Sequence, residues 1–459
     1  VQAIQAILQQ SEGSVRQVVV DDKGTVLIAV FGLPPYAHEN DAARGVLTGL
    51  AIRDRITALG LQAAIGITSG RAFCGPVGND QRREYAVVGD VVNLAARLMS
   101  AAPAVEGSVL CDQATQQAVQ TSHSSAVQRL TFEQLPPISV KGKDEPVAVC
   151  QPRLDDRPSI GTSSLLHASS ASGAIVGRIE ERAVLAGGLT SLLDGATGEL
   201  VILEGEAGIG KSRLLQEAAA QADALGVATL FGAADALYSA TPYYAWRAVF
   251  SEIFGPASAA GAAALRDHVL AQLAAIETPA AAGGPALQDL ASLLGTVLPL
   301  DLQDTELTAS MSDEARGDNT RELLVRILQH TASQAPRLLI IDDAQWLDSA
   351  SWALLRWLRQ RPARMLIVLA TRPLDEGAPL EYRELELTPG TTKLPLQALP
   401  PDDAIALVCQ RLQAASLPRP VEELIRAKAA GNPFFAEELA YTLRDSGALV
   451  VRDGACHLA

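Results

Sequence analysis

One stretch, ELVILEGEAGIGKSRLLQEAAAQA (residues 199–222), constrains what this chain can fold into more than any other. The apolar run Leu200–Leu203 leads into Gly205-Glu-Ala-Gly208-Ile-Gly210-Lys211-Ser212, and a helix-forming run follows at once. This matches G-x-x-x-x-G-K-[ST] in the strand–loop–helix setting the motif requires. Glycines let backbone N–H groups wrap phosphates without Cβ clashes, and the helix N-terminus adds partial positive charge. Lys211 is placed to reach the outer phosphates, and Ser212 to ligate Mg²⁺. A purely structural Gly-rich turn is the plainer alternative, and the flanking strand and helix argue against it. The fold implied is a doubly wound α/β domain with ligands at the carboxyl ends of a parallel sheet.

Two more apolar runs fit that sheet. RLLIIDDAQWLD (337–348) presents Leu338–Ile341 as a buried strand ending in Asp342-Asp343. Asp342 is the expected Mg²⁺ partner, and Asp343 the group that polarises an attacking water. RMLIVLATRP (364–373) ends in Thr371-Arg372, so Arg372 could sense a γ-phosphate from the same sheet edge.

Elsewhere the chain is less explicit. Its 459 residues predict roughly two to four domains. Hydrophobic residues make up 48% and charged residues 19%, enough for buried cores. Net charge is −15, and no Lys/Arg block is present, which argues against a nucleic-acid surface. Cys74, Cys111, Cys150, Cys409 and Cys456 are scattered, the pattern of free thiols in a reducing compartment. No apolar run approaches the ~18–20 residues that span a bilayer, and no basic-then-apolar leader opens the chain. A soluble, cytoplasmic protein without membrane contact is the expectation. Because the sequence opens at Val1 within a helical pattern, a fragment of a longer protein is expected.

Periodicity predicts a helix over 1–10, a hairpin around DDKG (21–24), and a helix from Asn40 or Asp41 with Ala43, Leu47 and Leu50 on its buried face. Strands are expected in LQAAIGITSG, RREYAVVGD and SVLCD, helices in VVNLAARLMSAA and DQATQQAVQ, and a last hairpin in ISVKGKDEPVAVC. Residues 151–174 are rich in Ser, Pro and Gly and read as a linker. The Ala-rich stretch 256–287 is compatible with helices separated by turns. From about Leu399 to the end the signal is helical.

From about residue 175 onward the chain resembles the STAND branch of AAA+-related ATPases. Besides the loop and the Asp-Asp strand, IVGRIEERAVL resembles that group's adenine-side segment through Val176, Gly177 and Arg178. GNPFFAEEL resembles its Gly-x-Pro element through Gly431 and Pro433, which the resemblance places near the base. No guanine-reading Asn-Lys-x-Asp occurs, so ATP with Mg²⁺ is the expected ligand. The expected organisation is a domain at 1–150, the linker at 151–174, an ATPase domain at 175–398, and a helical lid leading into a winged-helix region at 399–459.

In the first 150 residues, FGLPPYAHENDAARGVL, FCGPVGNDQRREYAVVGDVVNLAARLM and VKGKDEPV together resemble a class III nucleotide cyclase domain of the soluble adenylyl cyclase type, an α+β fold. The resemblance implies two metal carboxylates. The first lies on a strand before the helix that resembles residues 1–10. The second follows a Gly, six residues before the Phe of Phe-Gly; counting back from Phe31 gives Thr25, after Gly24. Asp21 and Asp22 then lie out of register as turn residues. Asp21 occupies the place of a purine-contacting Lys, and Ala86 that of a second purine contact. Asn93 and Arg97, one helical turn apart, match the family's ribose-orienting Asn and triphosphate-neutralising Arg. The plainer alternative makes them decoration on a surface helix. Asp90 reads as an N-cap, and Lys141 and Lys143 as solvated turn charges. Such a pattern fits the degenerate half of a cyclase pair, with a second cyclase domain as partner.

Three readings follow: a switch with a working ATPase and a non-autonomous cyclase half, an adenylyl cyclase completed by an upstream domain, or a non-enzymatic ATP-binding scaffold.

Overall fold

The computed structural model describes residues 2–21, 24–33, 37–38, 40–78, 83–104, 108–121, 130–140, 146–154, 174–255, 261–276, 285–298, 300, 302–374, 377–452 and 455–458. The chain divides into two compact units, 1–159 and 160–459.

The first unit opens with helix α1 (Gln2–Gln10), which buries Leu8. Strands β1 (Ser14–Asp21) and β2 (Gly24–Val30) form an antiparallel hairpin pairing Val20 with Thr25 and Asp21 with Gly24. Helix α2 (Asp41–Ala58) buries Ala43, Val46, Leu47 and Leu50, the face its periodicity predicts. Strands β3 (Ile65–Ile67), β4 (Phe73–Gly78) and β5 (Arg83–Val88) precede helix α3 (Asp90–Ala101). Strand β6 (Val109–Asp112), helix α4 (Gln113–Thr121) and strands β7 (Leu130–Ile138) and β8 (Val147–Leu154) complete the unit. The main sheet runs β3-β6-β8-β7, and β4 with β5 makes a separate hairpin. Helix α3 lies hard against β3: a Cβ on Gly66 would sit 2.2 Å from the Ala95 carbonyl oxygen and 2.4 Å from Met99 N, so this packing needs glycine.

Two expectations change here. Helix α3 begins at Asp90 with Gly89 as its cap residue, so Asp90 is the first helical residue and not the N-cap. The stretch assigned to the linker begins with strand: β8 runs to Leu154. The rest of that stretch through 173, together with Asp22, Lys141 and Lys143, lies outside the described residues.

In the second unit, helix α5 (Ile179–Leu193) precedes β9 (Glu199–Glu204), α6 (Lys211–Ala224), β10 (Ala228–Ala233), α7 (Trp246–Phe254) and α8 (Gly261–Ala275). A 3-10 helix (Leu287–Thr296) and the long helix α9 (Asp313–Gln334) lead to β11 (Arg337–Asp342), α10 (Ser349–Gln360), β12 (Met365–Thr371), α11 (Leu380–Leu387) and β13 (Thr391–Pro395). The five strands are all parallel, in the order β10-β11-β12-β9-β13.

Alternation along each strand explains why the apolar runs are unbroken. Ile202, Leu339, Ile341, Ile367 and Leu369 face one core with Trp246, Phe250, Leu324 and Trp352. Leu203, Leu338, Ile340, Leu366 and Val368 face the other core with Leu185, Leu214, Leu215 and Ala218. A parallel sheet covered on both faces has no polar side to display. A one-residue slip would exchange the two side-chain sets, so packing fixes the register and with it the edge where Asp342 and Thr371 emerge.

Helices α12 (Pro401–Leu412), α13 (Arg419–Ala429) and α14 (Pro433–Asp445) follow around their own core of Val408, Leu412, Val421, Ile425, Ala436 and Ala440. The chain then turns into an antiparallel hairpin, β14 (Leu449–Arg452) with β15 (Ala455–Leu458), where the sequence predicts helix. These strands are too short to carry a legible alternation. Among the described residues no helix is long and apolar enough to cross a membrane.

Candidate functional site: the carboxyl edge of the parallel sheet

The glycine-rich loop connects β9 to α6. Gly208 and Gly210 hold positive φ of 73° and 102°, a region other residues rarely adopt. Gly208 is doubly constrained, because a Cβ there would lie 2.7 Å from the Phe434 Cβ. Gly210 is the N-cap residue of α6, so the helix's first N–H groups have no capping side chain and remain available to an anion.

Lys211 opens the helix and is only 8% exposed. Its Nζ donates to the carbonyl oxygens of Gly205 (2.7 Å) and Glu206 (2.9 Å), which offsets desolvation of the ammonium. Burial holds its pKa below the usual lysine value; the charges of Asp343 and Asp342 oppose that shift, and Arg372 reinforces it. These four residues therefore feel one another at a single edge.

Ser212 Oγ donates to Asp342 Oδ2 at 3.3 Å, across 130 residues of sequence. Burial, and then the neighbouring Asp343, raise the Asp342 carboxyl above the ordinary value, against the pull of the Asp343 N–H, Lys211 and Ser212. Asp343 adopts the left-handed region (φ 53°), and its N–H donates to Asp342 Oδ1 at 2.8 Å. The strand order sets β12 between β9 and β11, which brings Arg372 to the same edge.

The remaining candidate residues frame the loop. Arg178, at φ 56°, donates from Nη2 to the Ile209 carbonyl oxygen (3.0 Å) and pairs through Nη1 with Glu181 (3.0 Å). A Cβ on Gly177 would fall 2.5 Å from Asp403 Oδ2, so the entry segment closes tightly on α12. Gly431 at φ 76° receives the Leu399 N–H on its carbonyl oxygen (2.8 Å), and Pro433 is the first residue of α14.

Two participants escape sequence reasoning. Asn432 caps α14 by accepting from the Phe434 and Phe435 N–H groups, and its Nδ2 donates to the Ala207 carbonyl oxygen at 3.0 Å. The Phe434 N–H also reaches the Gly208 carbonyl oxygen at 3.3 Å. An Asn before Pro at a helix start signals the cap, but nothing signals the contact to the loop. Gln345 is the second: its Nε2 donates to Asp343 Oδ1 (2.8 Å), and its Oε1 accepts from the Arg372 N–H (3.1 Å).

In the first unit the candidates are less connected. Asn93 and Arg97 lie exposed on α3, one turn apart. Thr25 is exposed on β2, Ala86 sits on β5 opposite Gly75, and Asp21 ends β1. The β1–β2 hairpin forms its own two-stranded sheet, distinct from the one α3 packs on.

Comparison with known families matches three segments of the chain. The adenylate and guanylate cyclase catalytic domain matches residues 11–150, the AAA ATPase domain matches 174–369, and a domain of unknown function matches 400–457. The chain joins a cyclase-type domain to an AAA-type domain. Curated relatives follow both parts at once. Adenylate cyclase type 10 of Oryctolagus cuniculus is 25% identical over 451 residues, covering 97% of this chain and 27% of that protein. The Homo sapiens protein of that name is 23% identical over 454 residues, again 97% of this chain and 27% of the relative. The chain thus spans about a quarter of the length of the curated relatives it matches. Among solved structures, the adenylyl cyclase CyaB from P. aeruginosa is 25% identical, covering 35% of this chain and 81% of that one, with a TM-score of 0.29. The AAA-type domain carries the glycine-rich loop and the Asp342 strand, and the cyclase-type domain carries Thr25, Asn93 and Arg97.

Proposed function

We propose that the AAA-type domain binds Mg-ATP and hydrolyses it slowly, as the switch of a signalling protein whose cyclase-type domain does not cyclise nucleotide by itself. The observation that carries this reading is the 3.3 Å approach of Ser212 Oγ to Asp342 Oδ2 beside a buried Lys211. Two hard oxygen donors at a helix N-terminus suit Mg²⁺, which takes one or two protein oxygens and completes its shell with phosphate and water. When bound, the ion neutralises charge on the β- and γ-phosphates.

This chain's residues do the rest. Loop N–H groups and the α6 N-terminus cradle the phosphates. Lys211 exchanges its carbonyl partners for phosphate oxygens. Asp343 orients the water that attacks the γ-phosphorus. As that bond forms, the bond to the β–γ bridging oxygen breaks, ADP leaves, and the water's proton passes through the Asp343 carboxylate to the released phosphate. Arg372 balances charge on the γ-phosphate. Arg178 steadies the loop through Ile209, and Gly177, Arg178 and Pro433 line the base side. Calorimetry with Mg-ATP tests the binding step: Lys211→Ala should abolish tight binding, and unchanged affinity in that variant would refute the assignment. Phosphate release then separates an ATPase from a non-enzymatic scaffold.

A second reading rests on Asn93 and Arg97, exposed together on one helix face. Paired with a second cyclase domain that supplies both metal carboxylates, from the same polypeptide or another subunit, they would contribute ribose and triphosphate contacts. Adding such a domain in trans and assaying cyclic AMP tests this reading.

A further inference from the structure

Gln345 lies between two residues of the proposed ATPase site and, although it falls within the RLLIIDDAQWLD stretch, has no role in the motif. The carboxyl ends of β11 and β12 emerge side by side, since Ile341 pairs with Leu369. Asp343 follows β11 in a left-handed turn, and Arg372 follows β12. The half-buried Gln345 side chain bridges them, donating from Nε2 to Asp343 Oδ1 and accepting the Arg372 N–H on Oε1.

The bridge has only one chemical sense. The Arg372 N–H can only donate, so the amide oxygen must face it, and the amine then faces the carboxylate. No other uncharged side chain of this length presents an acceptor and a donor in that arrangement. Asp343 accepts from Gln345 on Oδ1, and in the ATPase reading Oδ2 is the oxygen turned to the water. The backbone of Arg372 has its N–H committed to the same amide, which fixes where its side chain departs from the strand end.

We infer that Gln345 is a positioning residue that couples the water-orienting carboxylate of Asp343 to the γ-phosphate-facing Arg372, so that both are set together when ATP, and not ADP, is bound. This inference rests on the ATPase reading of the site. A water-orienting group must be held to a fraction of an ångström for proximity to count, and a half-buried carboxylate in a left-handed turn does not hold itself. The amide supplies that hold without a charge that would compete with the phosphates.

The test compares wild type with Gln345→Met, which keeps length and removes both hydrogen bonds, and Gln345→Glu, which keeps the acceptor for Arg372 but sets a carboxylate against Asp343. Calorimetric affinities for Mg-ATP and Mg-ADP are measured beside phosphate release. In Gln345→Met, ADP affinity should stay within about twofold, the ATP-over-ADP preference should fall toward unity, and kcat should drop about tenfold or more. Gln345→Glu should lose kcat at least as severely while retaining more of the ATP preference. Equal loss of ADP and ATP affinity in Gln345→Met would mark a structural residue and overturn the inference. So would a wild-type kcat and preference in that variant. Wild-type protein that binds neither nucleotide would refute the ATPase reading, and with it this inference.

Discussion

The carboxyl edge of the AAA-type domain and the exposed face of α3 in the cyclase-type domain hold the same kinds of residue, yet they are built differently. At the sheet edge Lys211 is buried, Ser212 meets Asp342, and Gln345 ties Asp343 to Arg372. On α3, Asn93 and Arg97 stand in solvent, and Thr25, at the expected metal position, lies on another sheet. A chemical site needs its groups desolvated and mutually oriented before the ligand arrives. The first region orients its groups within one domain around a buried Lys211, with Ser212 exposed at its mouth; under the proposed function the second takes groups from elsewhere.

The sharpest way to break this comparison is Lys211→Ala. Loss of a charge-assisted contact to phosphate should weaken Mg-ATP binding by about 100-fold or more, read by calorimetry. Little change would move nucleotide binding away from the sheet edge. Asp343→Asn should lower phosphate release by about 10²-fold with affinity nearly intact, because the change acts on the water and not on the phosphates. Equal losses in rate and affinity would make Asp343 a binding residue instead. Gly208→Ala tests how tightly the loop is held by α14. The new Cβ meets Phe434 at positive φ, so the AAA-type domain should lose roughly 1–3 kcal/mol. All four tryptophans (Trp246, Trp346, Trp352, Trp357) lie in that domain, so fluorescence-detected unfolding reports it directly.

The smallest effect belongs to the cyclase-type domain. Burial alone would lower the pKa of His38, but hydrogen bonds to Asp41 (3.1 Å) and Glu12 (2.8 Å) outweigh it and raise the value above 6.5, against the nearby charge of Arg44. A histidine raised on folding contributes stability that is fully present below its unfolded value and lost as pH rises through the folded one. Hydrogen-exchange protection of α1 and the start of α2 should therefore be full at acidic pH and decline as pH rises above 6.5. In His38→Gln that decline should vanish; if it persists, another group is responsible.

What could be read in advance follows from how local each signal is. The unbroken apolar runs 200–203, 338–341 and 366–370 announce strands buried on both faces, and the loop glycines announce the phosphate cradle. The Asn432–Ala207 and Gln345–Arg372 contacts join residues 225 and 27 positions apart, so no window of sequence displays them. The strand β4, FCGPVG, carries two glycines and a proline and has no apolar alternation to betray it. Strand β7 tolerates Pro136 and Pro137 because it is an edge of its sheet, where missing N–H donors go unnoticed. Pro152 lies in β8 beyond the residues that pair with β6, which is why a stretch read as linker continues the strand.

The central claim is that nucleotide chemistry in this chain resides at the sheet edge of the AAA-type domain and not in the cyclase-type domain. The most direct measurement incubates purified 1–459 with Mg-ATP, and in parallel with Mn-ATP, and separates all nucleotide products from a single reaction. ADP and phosphate, without cyclic AMP and with phosphate release abolished by Lys211→Ala, is the expected result. A neutral hydroxyl at Thr25 cannot replace a carboxylate that holds divalent metal. Cyclic AMP and pyrophosphate from this chain alone would contradict the claim and show that Thr25 does not occupy the metal position.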